Sequence, residues 1–189
     1  KQLKYLYLSD TKVTKAGVAQ LQKALPKCYI STNLWPVETA IREEIRKPSG
    51  ELTKADFEKV VKLDIGFKQI TDEDLKEVAK CKQIELLYLL NNVFTDAGLK
   101  EVAELQQLKL LDLSFTQITD VGLKKVIKLQ QLVDLRLFRT QITDAGLKDV
   151  AKLKHLRLIM LYDTGVTKAG VAQLQKALPK CEIEHNAEE

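Results

Sequence analysis

The chain has 189 residues, of which 45% are hydrophobic and 30% are charged, and its net charge is +4. This composition is typical of a folded protein and excludes an intrinsically disordered chain. Lys and Glu are interleaved along the sequence instead of forming a basic stripe, so we expect no nucleic-acid interface. No apolar run approaches the ~18 residues of a membrane span, so we expect no membrane insertion.

The three cysteines, Cys28, Cys81 and Cys181, are an odd number and have no metal-like spacing. We therefore expect small core residues, and neither a zinc site nor a disulfide framework. Reduced cysteines favour the cytoplasm slightly, but the sequence shows no targeting signal and its compartment stays open.

Residues 3–21, LKYLYLSDTKVTKAGVAQL, have the pattern of a short strand followed by a helix. The stretch TKAGVAQLQKALPKC within this region, residues 14–28, occurs again at residues 167–181. Next comes PVETAIREEIRKPSGELTKADFEK, which predicts a helical N-terminal entry or cap over residues 36–59 with turn chemistry at residues 47–51. Thr53 is a candidate N-cap for the second helix of this segment.

Residues 60–179 form five consecutive units with a period of 24, which begin at residues 60, 84, 108, 132 and 156. Their consensus is LxxLxLxxTxITDxGLxxVxxL. The LxL core has the period of a strand, and such short strands need neighbours, which stacking of the units supplies as a parallel sheet. The apolar residues that follow at intervals of three predict a helix with one stripe against the sheet.

The polar consensus positions have structural interpretations. The ninth residue of a unit, as in Thr116 and Thr140, can satisfy backbone groups where the chain leaves the strand. The Thr of TD is a candidate N-cap, and the Asp sits in the first helical turn, where the helix dipole favours it. The Gly that follows costs stability in a helix, so we expect close approach of adjacent units there.

Residues 180–189 are expected to be a closing strand through Cys181 and Ile183 with a polar tail, in which His185 and Asn186 are expected to be disordered. The two copies of the repeated stretch are offset by six units of 24 plus nine positions, so they are out of register. We therefore interpret residues 1–35 as the last repeat and cap of a preceding block, with residues 31–35 as a junction. A rearrangement of the array is the alternative. We expect residues 1–35 to pack within the chain, since Leu6, Leu8, Val18 and Leu21 need cover; self-association through this unit is the other option.

The repeated units resemble leucine-rich repeats of a bacterial type, with ITDxGL in place of a longer cysteine-containing motif. The resemblance implies an α/β fold: a right-handed leucine-rich repeat solenoid, or horseshoe, with a parallel β-sheet on the concave face and helices on the convex face. It implies no single function.

Function should depend on the strand positions that vary between units, whose side chains alternate toward the concave face. Aromatic residues, Met and Arg, which are enriched in protein interfaces, occur at several of these positions. The candidate partner-binding residues are Tyr88, Asp112, Phe115, Asp134, Arg136, Phe138, Arg139, Met160 and Tyr162. The N-terminal unit adds Tyr5, Tyr7 and Asp10. The competing interpretation is that curvature makes these side chains crowd and cover one another, which fits Leu86, Leu110 and Leu158 better than Tyr88 or Phe138.

The sequence predicts a non-catalytic module that binds an unidentified partner protein through its concave face. His155 is expected at the surface, no phosphate-binding or nucleophile motif is present, and we expect no enzyme activity, metal or cofactor. One alternative is the substrate-recognition part of a larger enzyme complex, such as a ubiquitin ligase receptor. Another is a structural spacer in a multi-block surface or envelope protein.

Overall fold

Short parallel strands alternate with short helices along the chain. The computed structural model describes residues 3–8, 11, 13–31 and 36–187. The described residues contain two parallel sheets. The smaller sheet pairs β1 (Tyr5–Tyr7) with β2 (Tyr29–Ser31), and α1 (Lys15–Ala24) lies between these strands in the chain. Asp10 and residues 32–35 of the predicted junction lie outside the described residues.

Two helices precede the larger sheet, α2 (Pro36–Glu44) and α3 (Lys54–Phe57). Helix α2 buries Val37 and Ile41 in the same hydrophobic core as the repeats. The N-cap predicted at Thr53 is present: the Thr53 backbone N–H and hydroxyl both donate to the carboxylate of Asp56. Lys47, whose Nζ lies 2.6 Å from Asp56 Oδ2, and the Thr53 donors lower the pKa of Asp56.

The larger sheet has six strands in chain order, one from each unit and one from the closing segment. They are β3 (Lys62–Asp64), β4 (Leu86–Tyr88), β5 (Leu110–Asp112), β6 (Asp134–Arg136), β7 (Leu158–Met160) and β8 (Glu182–Glu184). Each strand pairs in parallel with the equivalent strand of the next unit, as Leu87 does with Leu111. The register therefore has the same period as the sequence.

The helices lie between successive strands in the chain and pack against one another. They are α4 (Asp74–Val78), α5 (Leu99–Val102), α6 (Asp120–Val126), α7 (Asp144–Val150) and α8 (Lys168–Ala177). The consensus leucines of strands and helices, such as Leu111, Leu123 and Leu135, are fully buried in one continuous core. Burial of a Leu side chain stabilises a fold by about 2 kcal/mol. This core between a sheet layer and a helix layer is the α/β solenoid that the sequence predicts.

Polar residues at the ninth position close the turns after the strands, as predicted. The hydroxyls of Thr116 and Thr140 donate to the carbonyl oxygens of Leu113 and Leu137 at 2.6 and 2.7 Å. In the second unit Asn92 accepts from the backbone N–H groups of Lys68 and Ile70, and its amide donates to two carbonyl oxygens. These buried polar side chains satisfy the backbone where it leaves the sheet.

The Asp of each TD pair binds the next unit, a role beyond the predicted dipole effect. Asp120 Oδ1 accepts from the Thr143 backbone N–H at 2.9 Å, and Asp120 Oδ2 accepts from the Thr143 hydroxyl at 2.6 Å. The Thr143 hydroxyl in turn accepts from an N–H of its own helix. The same bonds join the pairs Asp72–Thr95, Asp96–Thr119 and Asp144–Thr167. We call this contact the inter-repeat carboxylate link.

The consensus glycine leaves space for this link. A Cβ atom on Gly146 would overlap Asp120 Oδ1, and one on Gly170 would overlap Asp144 Oδ1. The close approach of adjacent units that the sequence predicts is therefore an approach to a carboxylate. In the first unit of the array Asp74 replaces the glycine, and its Oδ2 accepts from the backbone N–H and the hydroxyl of Thr71.

We predict that Gly146→Ala destabilises the protein, because the new Cβ displaces the Asp120 carboxylate from Thr143. Hydrogen bonds to a charged group contribute about 1.5–3 kcal/mol, so urea unfolding should show a free-energy loss of that order.

The matched control is Gly17→Ala, where the nearest atom to the added Cβ is Thr14 Oγ1 at 3.4 Å. Ala is about 1 kcal/mol more favourable than Gly within a helix, so this variant should unfold no earlier than the unmodified chain. Equal losses from the two variants would contradict the steric role of Gly146.

Candidate functional site

The concave face consists of the strand side chains that alternate with the buried leucines. Three columns run along it, each with one residue from every unit and a spacing of 24. The first is Lys62, Leu86, Leu110, Asp134, Leu158 and Glu182; the second is Asp64, Tyr88, Asp112, Arg136, Met160 and Glu184; the third is Gly66, Leu90, Ser114, Phe138, Tyr162 and Asn186. These residues share no position with the core, so they can vary without changing it.

Three of the candidate residues form a stack of aromatic rings, which we call the aromatic ladder: Phe115, Phe138 and Tyr162. The ring centroids of Phe115 and Phe138 are 4.7 Å apart at 84°, and those of Phe138 and Tyr162 are 6.2 Å apart at 87°. Both contacts are edge-to-face, a geometry that stabilises aromatic pairs. Phe115 remains 38% exposed and Tyr162 36% exposed, so the rings cover one another only in part.

Arg139 lies over the aromatic ladder. Its Cζ is 5.6 Å from the Phe115 ring centroid and 5.5 Å from that of Phe138, within the range of a cation–π contact. Its Nε donates to Asp163 Oδ2 at 3.0 Å. The guanidinium is therefore held by two rings and one carboxylate, with most of its surface in water.

The tail residue Asn186, expected to be disordered, is hydrogen-bonded to Asp163. The Asn186 amide donates to Asp163 Oδ1 at 2.6 Å, and its Oδ1 accepts from the Asp163 backbone N–H at 2.8 Å. That prediction was wrong because Asn186 follows Tyr162 by one repeat period and continues the third column. The Asn186 amide first, and then Arg139, lowers the pKa of Asp163.

Asp112, Asp134 and Arg136 meet at the centre of the concave face. The Arg136 guanidinium binds Asp134, with Nη2 2.8 Å from Oδ2, and this hydrogen bond raises the pKa of Arg136. Asp112 is buried beside Arg136 in the second column, and its Oδ1 accepts from the Ser114 backbone N–H at 2.9 Å. Tyr88 lies on the other side of Asp112 and is half-buried. One cation thus faces two carboxylates.

Phe138 and Tyr162 lie two positions beyond the ends of their strands. Phe115 and Arg139 lie three positions beyond, also outside the strands that the sequence predicts for them. Each occupies the first position after the third column, where the backbone is left-handed, with φ of 58° for Phe115 and 52° for Arg139. Phe67, Asn91 and Asp163 have the same conformation at the equivalent position of their units. A bulky residue at positive φ is strained, and here the turn after each strand imposes the conformation. We call these five residues the left-handed column.

Met160 and Tyr162 occupy the carboxyl-terminal part of the concave face, next to acidic residues. Met160 pairs in register with Glu184, and both are half-buried. Partial burial and the neighbouring Glu184 raise the pKa of the Tyr162 hydroxyl. The nine candidate residues therefore form two neighbouring groups: the aromatic ladder with Arg139, and a charged centre that Tyr88 and Met160 flank.

The three columns carry two cations, Lys62 and Arg136, and five carboxylates, Asp64, Asp112, Asp134, Glu182 and Glu184. Their net charge is therefore −3, whereas that of the whole chain is +4. Charge separation of this kind steers a partner of opposite charge toward one face. The concave face is acidic on an otherwise basic protein.

Cys81, Cys181 and His155 lie outside the three columns. Cys81 and Cys181 are buried in the core, and burial raises the pKa of their thiols to about 12 and about 11. His155 is exposed, as expected. Within the described ranges, no group of three or more His, Cys, Asp or Glu side chains is arranged to hold a metal ion. Nor does any described helix have the length and apolar character needed to cross a membrane.

Comparison with known proteins identifies the repeat. A family model described as leucine-rich repeat matches residues 105–126, which include β5 and most of α6. This match covers about one repeat of the array. A comparison with curated proteins found no match.

Solved structures of bacterial leucine-rich repeat proteins have the same fold. The chain is similar to an internalin of Listeria monocytogenes, with 15% identity over 82% of this chain and 57% of the internalin, at a TM-score of 0.53. It is also similar to a leucine-rich repeat protein of Leptospira interrogans, with 22% identity over 96% of this chain and 48% of that protein, at a TM-score of 0.53. The chain spans about half of the length of these relatives. At this identity the similarity shows the fold, a leucine-rich repeat solenoid with strands on the concave face and helices on the convex face.

We predict that Asn186→Ala raises the pKa of Asp163 toward its ordinary value, because the variant loses the strongest donor to that carboxylate. In the folded protein this pKa lies below its value in the unfolded chain. The contribution of Asp163 to stability is therefore present above about pH 4 and is lost as the pH falls through the folded pKa. An NMR titration of the Asp163 carboxyl carbon measures the shift.

Gln117→Ala serves as the control for this titration, since Gln117 lines the same shallow groove as Asp163. Its removal should leave the Asp163 pKa in place. If Asn186→Ala does not move that pKa either, Asn186 does not hold the carboxylate in solution.

Proposed function

We propose that the protein is a non-catalytic binding module that holds a partner protein on its concave face, through the nine candidate residues. The observation that supports this most strongly is the aromatic ladder with Arg139 beside it. Phe115 and Tyr162 keep more than a third of their surface exposed, although they already contact Phe138. Aromatic and Arg side chains that are exposed together in a patch are typical of binding surfaces.

Binding without catalysis fits the distribution of carboxylates. Asp72, Asp96, Asp120 and Asp144 each hold the next repeat through the inter-repeat carboxylate link. Asp134 is paired with Arg136 and Asp163 with Arg139 and Asn186. These groups have structural partners that a catalytic acid or base would have to leave.

The charge of the concave face supports a partner that presents cationic side chains. Among the three columns Asp134 pairs with Arg136, and the accessible carboxylates Asp64, Glu182 and Glu184 have no ion-pair partner in the columns. A Lys or Arg of the partner can reach these carboxylates while its apolar residues contact Met160 and the aromatic ladder. Electrostatic complementarity of this kind raises the rate of association and selects among partners.

We predict that the double variant Phe138→Ala with Arg136→Ala loses the partner captured from cells of the source organism. Truncation of central aromatic and Arg side chains typically costs about 2 kcal/mol or more each, so the affinity of the double variant should fall on the order of several hundredfold. Both side chains lie outside the core, and the melting temperature should shift by no more than a few degrees. Affinity capture with quantitative mass spectrometry makes the comparison.

The matched control is Lys124→Ala with Lys148→Ala, two exposed positions on helices α6 and α7 of the convex face. This variant should retain the partner. Release of the partner should become easier as the salt concentration rises, because screening weakens the attraction of the acidic face. If both variants capture the partner equally, the partner binds outside the concave face. This result would favour the alternative that the segment is a structural spacer.

A further inference from the structure

The amino-terminal unit, residues 3–31, contains the same stretch of sequence as the closing unit of the array. Residues 13–28 and 166–181 have identical sequences, and they fold in the same way. Thr14 Oγ1 accepts from the Gly17 N–H at 3.1 Å, as Thr167 Oγ1 does from Gly170. The Gln22 amide donates to the carbonyl oxygens of Leu25 and Cys28, and Gln175 makes the corresponding bonds. Strand β1 pairs with β2 as β7 pairs with β8.

The two copies differ in what covers them. Leu156 is 1% exposed under the preceding repeat, whereas its counterpart Leu3 is 47% exposed. Leu174 is buried, but the same residue in the amino-terminal copy, Leu21, is only half-buried. On β1 itself, Leu6 is half-buried, whereas its counterpart Ile159 on β7 is fully buried. The apolar face that a preceding repeat covers in the closing unit is open in the amino-terminal unit.

The amino-terminal unit also lacks the carboxylate for which its helix start is built. Thr167 donates its backbone N–H and hydroxyl to Asp144, and Gly170 leaves space for that carboxylate. Thr14 and Gly17 repeat this arrangement, yet within the described part of the chain no carboxylate accepts from Thr14, and Thr14 Oγ1 is the nearest atom to a Cβ on Gly17. The start of helix α1 therefore has space for a carboxylate, and no carboxylate of the described residues binds there.

The array of residues 60–179 shows how a unit without a predecessor is built. Its first repeat has Asp74 at the glycine position, and this side chain itself binds the N–H and hydroxyl of Thr71. Helix α3 uses the same solution with Thr53 and Asp56. Gly17 is the residue type of a unit that follows another repeat.

We propose that residues 3–31 form a closing unit whose open face is the docking surface for a leucine-rich repeat of the same consensus. The docked repeat has an Asp at the second position of its TD pair, which binds Thr14 at the start of the following helix. Its strand pairs with the free edge of β1. Residues 36–59 then cap the start of the array of residues 60–179. Residues 180–189 close its end, as the equivalent segment closes the amino-terminal unit.

A second copy of the chain is a poor occupant of this surface. The four carboxylates of the correct type, Asp72, Asp96, Asp120 and Asp144, are all bound to the next repeat of their own chain. The last helix, α8, begins with Thr167 and Lys168, so it offers no such Asp. The segment after residue 35 approaches this unit at Tyr29, whose hydroxyl donates to Glu43 at 3.5 Å, and at Pro48, which lines a groove with Leu3 and Tyr5. Neither contact replaces a repeat, because β1 pairs with β2 alone among the described strands.

The test supplies the missing repeat from the chain itself. A copy of residues 36–81, which contains the helical cap and the first repeat, is placed directly before Lys1 in the full chain. The junction is natural in sequence, because Lys1 and Gln2 match Lys82 and Gln83, which follow residue 81. The copied Asp72 then precedes Thr14 by the same sequence separation as that between Asp72 and Thr95, which all the inter-repeat carboxylate links share.

Hydrogen exchange measures docking, and α8 is the internal reference. Helices α1 and α8 have the same sequence, so their intrinsic exchange rates are the same. Peptides must extend past residue 28 or 181 into the differing flanks to tell the copies apart. In the unmodified chain we expect α1 to exchange at least about tenfold faster than α8, and in the grafted chain we expect the two rates to converge.

Two variants of the grafted chain distinguish the effect of the inter-repeat carboxylate link from stabilisation by any added segment. Ala at the copied Asp72 should restore fast exchange in α1, whereas Ala at the copied Glu73, an exposed neighbour paired with Lys76, should not. If α1 exchanges as fast in the graft as in the unmodified chain while α8 stays protected, the proposal is overturned. It is also overturned if the unmodified chain dimerises and protects α1 in the dimer.

A single substitution tests, without a graft, whether the start of helix α1 lacks a carboxylate. Gly17→Asp gives the amino-terminal unit the self-supplied carboxylate of the first repeat, and it should slow exchange in α1. The identical change at Gly170 would push a side chain into Asp144 and should lower the melting temperature by several degrees. If Gly17→Asp also lowers the melting temperature or speeds exchange in α1, the helix start is already satisfied and the docking surface does not exist.

Discussion

A carboxylate of one repeat binds the threonine that starts the helix of the next repeat, and the order of the solenoid depends on this contact. The Asp accepts a backbone N–H and a hydroxyl at once, so it sets both the position and the direction of the following helix. Gly is needed at the third helical position because the carboxylate occupies the space of a Cβ. Three consensus residues therefore serve one contact, and each repeat is aligned by its nearest neighbour alone, as in a one-dimensional stack.

This contact lies on the helix side of the core. The residues on the sheet side can therefore vary between repeats. The buried leucines of the strands alternate with side chains that belong neither to the core nor to the inter-repeat carboxylate link. Aromatic rings, one central Arg and an excess of carboxylates can then collect on the concave face without loss of register. The separation explains how a chain of near-identical units can present a distinct binding surface.

Much of the fold could be predicted from the sequence because the period fixes the register, and Thr116 and the helix caps act within a few residues. The link from Asp120 to Thr143 was missed, since its partners belong to different repeats and a helix-dipole argument already accounted for Asp120. The candidate site was predicted less well. Alternation continues through Phe138 and Tyr162 in the third column, but it does not foresee the left-handed turn at Phe115 and Arg139, one position further. The bond from Asn186 to Asp163 depends on tertiary neighbours of the tail.

The left-handed column has an evolutionary consequence. The backbone, and not the side chain, sets the conformation at these five positions, and Phe, Asn, Phe, Arg and Asp all occupy it. A substitution there changes the chemistry at the rim of the sheet while the leucines, the threonines and the repeat spacing stay as they are. New specificities can therefore arise one residue at a time, each at the small and constant cost of one strained turn. The repeat length, by contrast, cannot drift, because every change in it would separate a carboxylate from its threonine.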